Sequence, residues 1–251
     1  MGDSQLLLHE PLFMTITLIA AILCLASVSQ SFAGFGFMLV AVSLGAQLLP
    51  VPHVVALGLP LSMLSAAQVA WRHREHIQWR WLGYGVAPGM IVGTACGFGL
   101  ASQLDPAALK RVLGATVLLA VALRGLRGGQ RTRHSLGLER VGSVAGGLAQ
   151  GMFGVGGPVL VLLAQRAGHS PDQFRATLTT VWSSVNFALV TVMALRGRYE
   201  EGLWMEPLMA LPVVWLGARV GERLHAVVTV ETFQRVVLVG LMASGLSLLL
   251  S

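Results

Sequence analysis

The chain repeats itself, and each copy interrupts an apolar run with glycines. Gln30-Ser31-Phe32-Ala33-Gly34-Phe35-Gly36 aligns with Gln150-Gly151-Met152-Phe153-Gly154-Val155-Gly156 at an offset of 120 residues. At an offset of 124, Pro88, Gly93, Gly97, Leu100 and Arg111 align with Pro212, Gly217, Gly221, Leu224 and Arg235. Two matched blocks in the same order make chance a poor explanation. Helices broken by glycine and duplicated in apolar sequence are how many membrane carriers are built, with the breaks near the bilayer midplane.

The bilayer is the only solvent this chain suits. Hydrophobic residues make up 55% of it and charged residues 11%, against about 25% charged in soluble domains. In lipid every backbone polar group must be satisfied internally, so the apolar runs are expected to be helices. The fold expected is therefore an all-α polytopic membrane protein. A first membrane repeat covers 1–123, a linker 124–140, and a second repeat 141–251. Together they form one integral-membrane domain with room for seven to ten spans. Apolar runs fall at 11–30, 34–49, 53–71, 82–102 and 107–123, then at 141–153, 155–167, 173–195, 203–224 and 230–250. A span needs about 20 apolar residues. The runs 141–153 and 155–167 are too short to cross alone, so they are expected to be half-helices meeting at Phe153–Pro158. Trp71, Trp79, Trp81 and Trp204 flank runs, as interfacial aromatics do. Cys24 and Cys96 lie in apolar runs and are expected to be small packed residues. Asp3 and Glu10 with no early Lys or Arg argue against a cleaved signal peptide.

Arginine positions bear on topology. If each broken segment crosses once, the halves are parallel and the basic residues divide ten to seven between the two sides. If each goes in and returns, the halves are inverted. Arg72, Arg74, Arg80, the linker arginines, Arg166, Arg175, Arg219, Arg223 and Arg235 then share one side. Only Lys110, Arg111, Arg196 and Arg198 face the other, a split of thirteen to four. The positive-inside rule prefers the second arrangement, with the linker cytoplasmic and both termini outside.

Catalytic and cofactor signatures are missing: no His-Glu-x-x-His, Gly-x-Ser-x-Gly, phosphate loop or Cys-x-x-Cys occurs. The expectation is no enzyme, no cofactor and no metal. His73, Glu75 and His76 read as a solvated loop. The net charge of +6 fits basic loops against an anionic inner leaflet, and no basic domain exists to bind nucleic acid.

Polar residues within apolar runs are costly and so informative. Gln30 and Gln150 stand four residues before Gly34 and Gly154 in the two copies. Each amide could donate to an anion's oxygens, helped by half-helix N-termini and by backbone freed at Gly34, Gly36, Gly154, Gly156 and Gly157. Alternatively each could bond to freed backbone carbonyls. The two glutamines could also approach one another across a pseudo-two-fold axis. Thr177, Thr180 and Ser184 share a helix face ending near Asn186, with Ser62, Ser65 and Gln68 as a thinner counterpart. That face could glue helices or line a substrate path. Arg175, Arg219, Glu222 and Arg223 sit at run ends and either snorkel or form an electropositive mouth. Glu222 could pair with Arg219 at i, i+3.

The glycine pattern Gly147, Gly151, Gly154, Gly156, Gly157 and Pro158 resembles the sulfite exporter TauE–SafE family of permeases. So do the Ala176-Thr177 block and Leu216-Gly217-Ala218-Arg219-Val220-Gly221-Glu222-Arg223-Leu224. The resemblance covers roughly residues 15–250 and implies a bacterial inner-membrane carrier of small sulfur-containing anions, often proton-linked. The function expected is a secondary transporter of a sulfonate or sulfur oxyanion. Its substrate-binding residues would be Gln30, Gly34, Gly36, Gln150, Gly154, Gly156, Gly157, Thr177 and Asn186, with Arg175, Arg219 and Glu222 at an entrance. The partners expected are the small anion and the lipid bilayer. A coupling proton, with Glu222 the nearest carboxyl, and a homo-oligomer stay open. A passive anion channel, an assembly subunit and a membrane enzyme are the alternatives.

Overall fold

The computed structural model describes residues 3–125, 136–199, 202–224 and 230–250. Residues 126–135 of the expected linker and the side chain of Arg235 lie outside the described residues. Among those described are ten α-helices: α1 Asp3–Ala33, α2 Phe37–Gly45, α3 Val51–Arg72, α4 Ala87–Ala101, α5 Pro106–Gly125, α6 Leu136–Phe153, α7 Gly157–Arg166, α8 Pro171–Leu195, α9 Met205–Leu224 and α10 Val230–Leu250. Five described stretches are long and apolar enough to cross a membrane: Met14–Ala33, Val51–Arg72, Trp81–Ala101, Pro106–Leu123 and Asp172–Leu195. The protein is thus a polytopic helical membrane protein.

The helices start and stop where backbone chemistry dictates. Ser170 accepts the Gln173 N–H while Gln173 reaches back to the Ser170 N–H, and Pro171 occupies the first turn of α8, a capping box at the tolerated proline position. A π-helical stretch, Trp81–Val86, runs straight into α4. Pro88 cannot donate to the carbonyl of Tyr84. Arg140 Nε takes that carbonyl at 3.5 Å instead. Helix α6 begins at Leu136, earlier than the apolar run suggested, and carries Glu139 as a buried residue against Gly85.

Numbering the five α-helices of each half in order makes α1 and α6, α2 and α7, α3 and α8, α4 and α9, and α5 and α10 counterparts. Their contacts exchange accordingly. Helix α4 packs on α6, and α9 packs on α1; α3 packs on α8, and α5 on α10. Bare glycines permit the first two contacts. Gly93 and Gly97 rest on the carbonyls of Val144 and Leu148, while Gly217 and Gly221 rest on those of Cys24 and Val28. Any Cβ there would strike backbone.

The self-paired helices run antiparallel. Just past the end of α3, the Gln78 N–H donates to Thr177 near the start of α8. Just past the end of α8, the Tyr199 hydroxyl donates to the Ala56 carbonyl near the start of α3. Gly114 faces Leu248 and Leu249 while Gly245 faces Val117 and Leu118, so α5 and α10 are antiparallel too. The short α7 folds back along α6, with Leu160 near Gly146 and Leu163 on Gly142.

The core lies around α2, α3 and the second break, where Phe37, Val42, Leu59, Leu61 and Phe153 are almost fully buried. Large apolar side chains such as Ile91, Phe187, Met209 and Val239 point outward, the surface a bilayer covers. Trp71, Trp79 and Trp204 are exposed as expected of interfacial aromatics. Trp81 is not: it is buried against the His169 ring. Cys96 is exposed rather than packed, because α4 turns its glycine face to α6.

Candidate functional site

The two interruptions have the same chemistry at their first step. Gly34 and Gly154 adopt φ of 78° and 72°, the left-handed conformation that glycine adopts without penalty. Each donates its N–H to the carbonyl of the glutamine four residues earlier, Gln30 or Gln150, at 2.8 Å. This is the usual helix C-terminal closure.

The glutamine side chains then act on the next helix. Gln150 Oε1 accepts the Gly156 N–H at 2.9 Å, and Gln30 Oε1 accepts the Phe37 N–H at 3.3 Å. The sequence suggested bonds to freed carbonyls. The polarity is the reverse, because the orphan groups at a helix start are N–H donors. Since a backbone N–H can only donate, each Oε1 must face it and each Nε2 must turn the other way. Gln150 Nε2 donates to Asn186 Oδ1 at 2.6 Å, and Asn186 Nδ2 donates to Ser62 Oγ at 3.1 Å. Ser62 lies on α3 and Asn186 on α8, so this bond joins the two self-paired helices.

These groups enclose one small cavity. It is lined by Gln30, Gly36, Ser62, Gln150, Gly157 and Asn186, with Phe35, Met38 and Trp182 among the apolar walls. Its free volume is about 20 Å³, room for about one water molecule. Two residues that line it carry a buried donor with no hydrogen-bond partner: Gln30 Nε2 and Trp182 Nε1. Burying an unpaired donor costs roughly 1–3 kcal/mol.

The structure therefore brings Gln30, Gly36, Gln150, Gly154, Gly157 and Asn186 to one place. Gly34 and Gly156 stand beside it as backbone. Thr177 does not line the cavity; its hydroxyl receives the Gln78 N–H. Thr180 bonds back to the Ala176 carbonyl, and Ser184 is exposed.

The charged residues lie apart from the cavity. Arg175 is half-buried, packs its Cγ where Gly34 lacks a Cβ, and donates to the Ser31 carbonyl. Glu222 does not pair with Arg219. It pairs with Arg72 of α3 at 2.5 Å, while Arg219 lies 4.7 Å over the Trp215 ring. A second polar contact, His53 Nε2 with Glu206 Oε2 at 2.8 Å, joins the opposite ends of α3 and α9. Outside the spans, His73 is held below the usual histidine value, first by burial and then by the Arg175 charge. Burial also pushes the Tyr199 hydroxyl up to about 12.

Sequence reasoning missed Trp182 and Met38, and left the Ser62 face open between helix packing and substrate lining; Ser62 lines the cavity. Nothing in the sequence pointed to Trp182. Among the described residues no cluster of three or more His, Cys, Asp or Glu could hold a metal.

Residues 18–248 match the family model described as Sulfite exporter TauE/SafE, and the chain belongs to this family of membrane transporters. It is similar to the probable inner membrane transporter protein TsaS of Comamonas testosteroni, 31% identical over 198 residues, which is 78% of this chain and 80% of that one. It is also similar to the probable sulfite/organosulfonate exporter TauE of Cupriavidus necator, 29% identical over 223 residues and 86% of both chains. No solved structure matches it.

Proposed function

We propose that this protein is an inner-membrane secondary transporter that moves a small sulfur oxyanion, sulfite or a sulfonate, through the cavity between its two breaks. One observation carries the reading. Both glutamines, both half-helix starts and the Ser62–Asn186 pair converge on a single buried cavity, where N–H donors suit an anion without burying a formal charge. The names of the two relatives support the substrate class.

At about 20 Å³ the cavity is too small for a sulfonate, so transport requires the helices around it to separate. The halves rock as inverted repeats about the breaks. The antiparallel pairing of α3 with α8 and of α5 with α10 supports inversion, as does the arginine split. Both termini then lie outside, and the linker lies in the cytoplasm. Alternating access opens one mouth at a time. The Arg72–Glu222 and His53–Glu206 pairs, at opposite ends of α3 and α9, are placed to latch those mouths.

Proteoliposomes loaded with unlabelled anion test the reading. Counterflow of labelled sulfite or an alkanesulfonate, saturable and not shared by a carboxylate, is the expected result. Linear, unsaturable flux identifies a channel instead, and no flux of any sulfur anion removes the substrate class. A reporter active only outside the cytoplasm, fused after Ser251, should be active, and the same reporter at Gly129 should be silent. A cytoplasmic C-terminus sinks the inverted topology.

A further inference from the structure

Four side-chain oxygens line the cavity, and each already has a donor. Gln30 Oε1 is taken by the Phe37 N–H, Gln150 Oε1 by the Gly156 N–H, Asn186 Oδ1 by Gln150, and Ser62 Oγ by Asn186. The groups left with no partner at all are of the opposite kind. Gln30 Nε2 and Trp182 Nε1 are unpartnered, and their residues are 1% and 5% exposed. The Ser62 hydroxyl, having accepted from Asn186, keeps a proton to give. No carboxylate is among the lining residues.

The benzo side of the Trp182 ring next to its pyrrole nitrogen lies beside the second break. Cζ2 is the ring atom near Gly157, 4.0 Å from where a Cβ would stand, and Cζ2 and Nε1 are both bonded to Cε2. The donor pair comes from α1 of the first half and α8 of the second.

We propose that Gln30 Nε2 and Trp182 Nε1 are the groups that bind the oxyanion. Because the two unpartnered side-chain groups are both donors and no carboxylate lines the pocket, it favours a head whose oxygens all accept over a substrate carrying an ammonium. This rests on the cavity being the transport site, and it adds Trp182 to that site and a charge rule to the substrate. An ammonium ion has three donors and nothing else. Here it would be buried facing other donors, with no carboxylate to pair with it.

The test uses ethanesulfonate and aminomethanesulfonate, which have the same shape and differ in a methyl against an ammonium. Purified protein in detergent and in proteoliposomes should bind and carry the first and not the second. Trp182→Phe removes the N–H and keeps an aromatic ring. It should weaken ethanesulfonate binding roughly ten- to a hundredfold, the usual worth of a hydrogen bond to a charged group. Its melting temperature should hold or rise, since an unsatisfied buried donor is gone. Gln30→Glu keeps the acceptor for Phe37 and removes the donor, and should weaken binding at least as much. Trp79→Phe, at an exposed tryptophan, should match wild type. Wild-type affinity in Trp182→Phe, or equal handling of both sulfonates, overturns the inference while leaving the transporter reading intact. Failure of wild-type protein to bind or carry any sulfonate or sulfite overturns that reading instead.

Discussion

The two glycine breaks share a sequence pattern and the same first turn, yet they end in different chemical states. At the second break both ends of the glutamine amide are bonded. Gln150 caps Gly156 at 2.9 Å and is held by Asn186 at 2.6 Å. At the first break Gln30 makes a longer bond to Phe37, 3.3 Å, and its amide nitrogen has no partner. The cause is what the facing helix supplies. Helix α8 presents Asn186 and Trp182 to the cavity, whereas α3 presents Ser62. The two breaks share a backbone turn, and their side-chain surroundings leave one glutamine bonded at both ends and the other at one.

The harshest way to break this comparison is to fill the turns. Gly154→Leu would force a side chain into a left-handed turn at about 1–2 kcal/mol and against Met38 Cε, which lies 2.7 Å from the Cβ position. Uptake in proteoliposomes should vanish while protein remains in the membrane. Gly34→Leu meets Arg175 Cγ at the same distance and should do the same. Normal uptake by either would show that one break is dispensable.

A sharper cut separates support from ligand. Gln150→Leu strands the Gly156 N–H and Asn186 Oδ1, and should cost about 2–4 kcal/mol of stability, read as a lowered melting temperature. Gln30→Leu strands only Phe37 and should cost about 1 kcal/mol. In anion affinity the order should reverse, with Gln30→Leu the weaker binder. Equal effects of both variants in both assays would erase the difference between the breaks.

Smaller again is the pair on the facing helices. Ser62→Ala removes one acceptor and should cost about 1 kcal/mol. Asn186→Ala severs two bonds and should cost more, by denaturant or thermal unfolding.

The smallest effect is expected at His73, beside Arg175 near the first break. Burial and the Arg175 charge disfavour its imidazolium in the folded state. Between the lowered folded value and the unfolded value of about 6.5, the unfolded chain binds more protons, so stability rises with pH. It should be fully present above about pH 6.5 and decline as the pH falls toward the folded value. His73→Gln should flatten the difference between melting temperatures measured on the two sides of that value.

Much of this was legible before any coordinates. The glycine spacing located both breaks to within a few residues, since α1 stops at Ala33 and α6 at Phe153. The depletion of charge required a membrane helix bundle, and the position of Gln30 and Gln150 marked them as exceptional. Other expectations missed for identifiable reasons. Cys96 and Trp81 were judged from run membership, which does not say which face a helix turns to its neighbour. Glu222 was matched to Arg219 by local spacing, but Arg72 of α3 reaches it across 150 residues. Thr177 looked like part of a lining face, and it anchors the backbone after α3.

Local rules reach only what local sequence carries. Glycine's backbone freedom, the cost of charge in lipid and the 120- and 124-residue offsets are properties of the chain itself. They suffice for helix breaks, a bundle and two related halves. Which amide is satisfied and which is left without a partner depends on groups that meet from α1, α3, α6 and α8. Hydrogen bonds are directional and act over about 3 Å, so only packing assigns Asn186 to Gln150 and leaves Gln30 Nε2 and Trp182 Nε1 unpartnered.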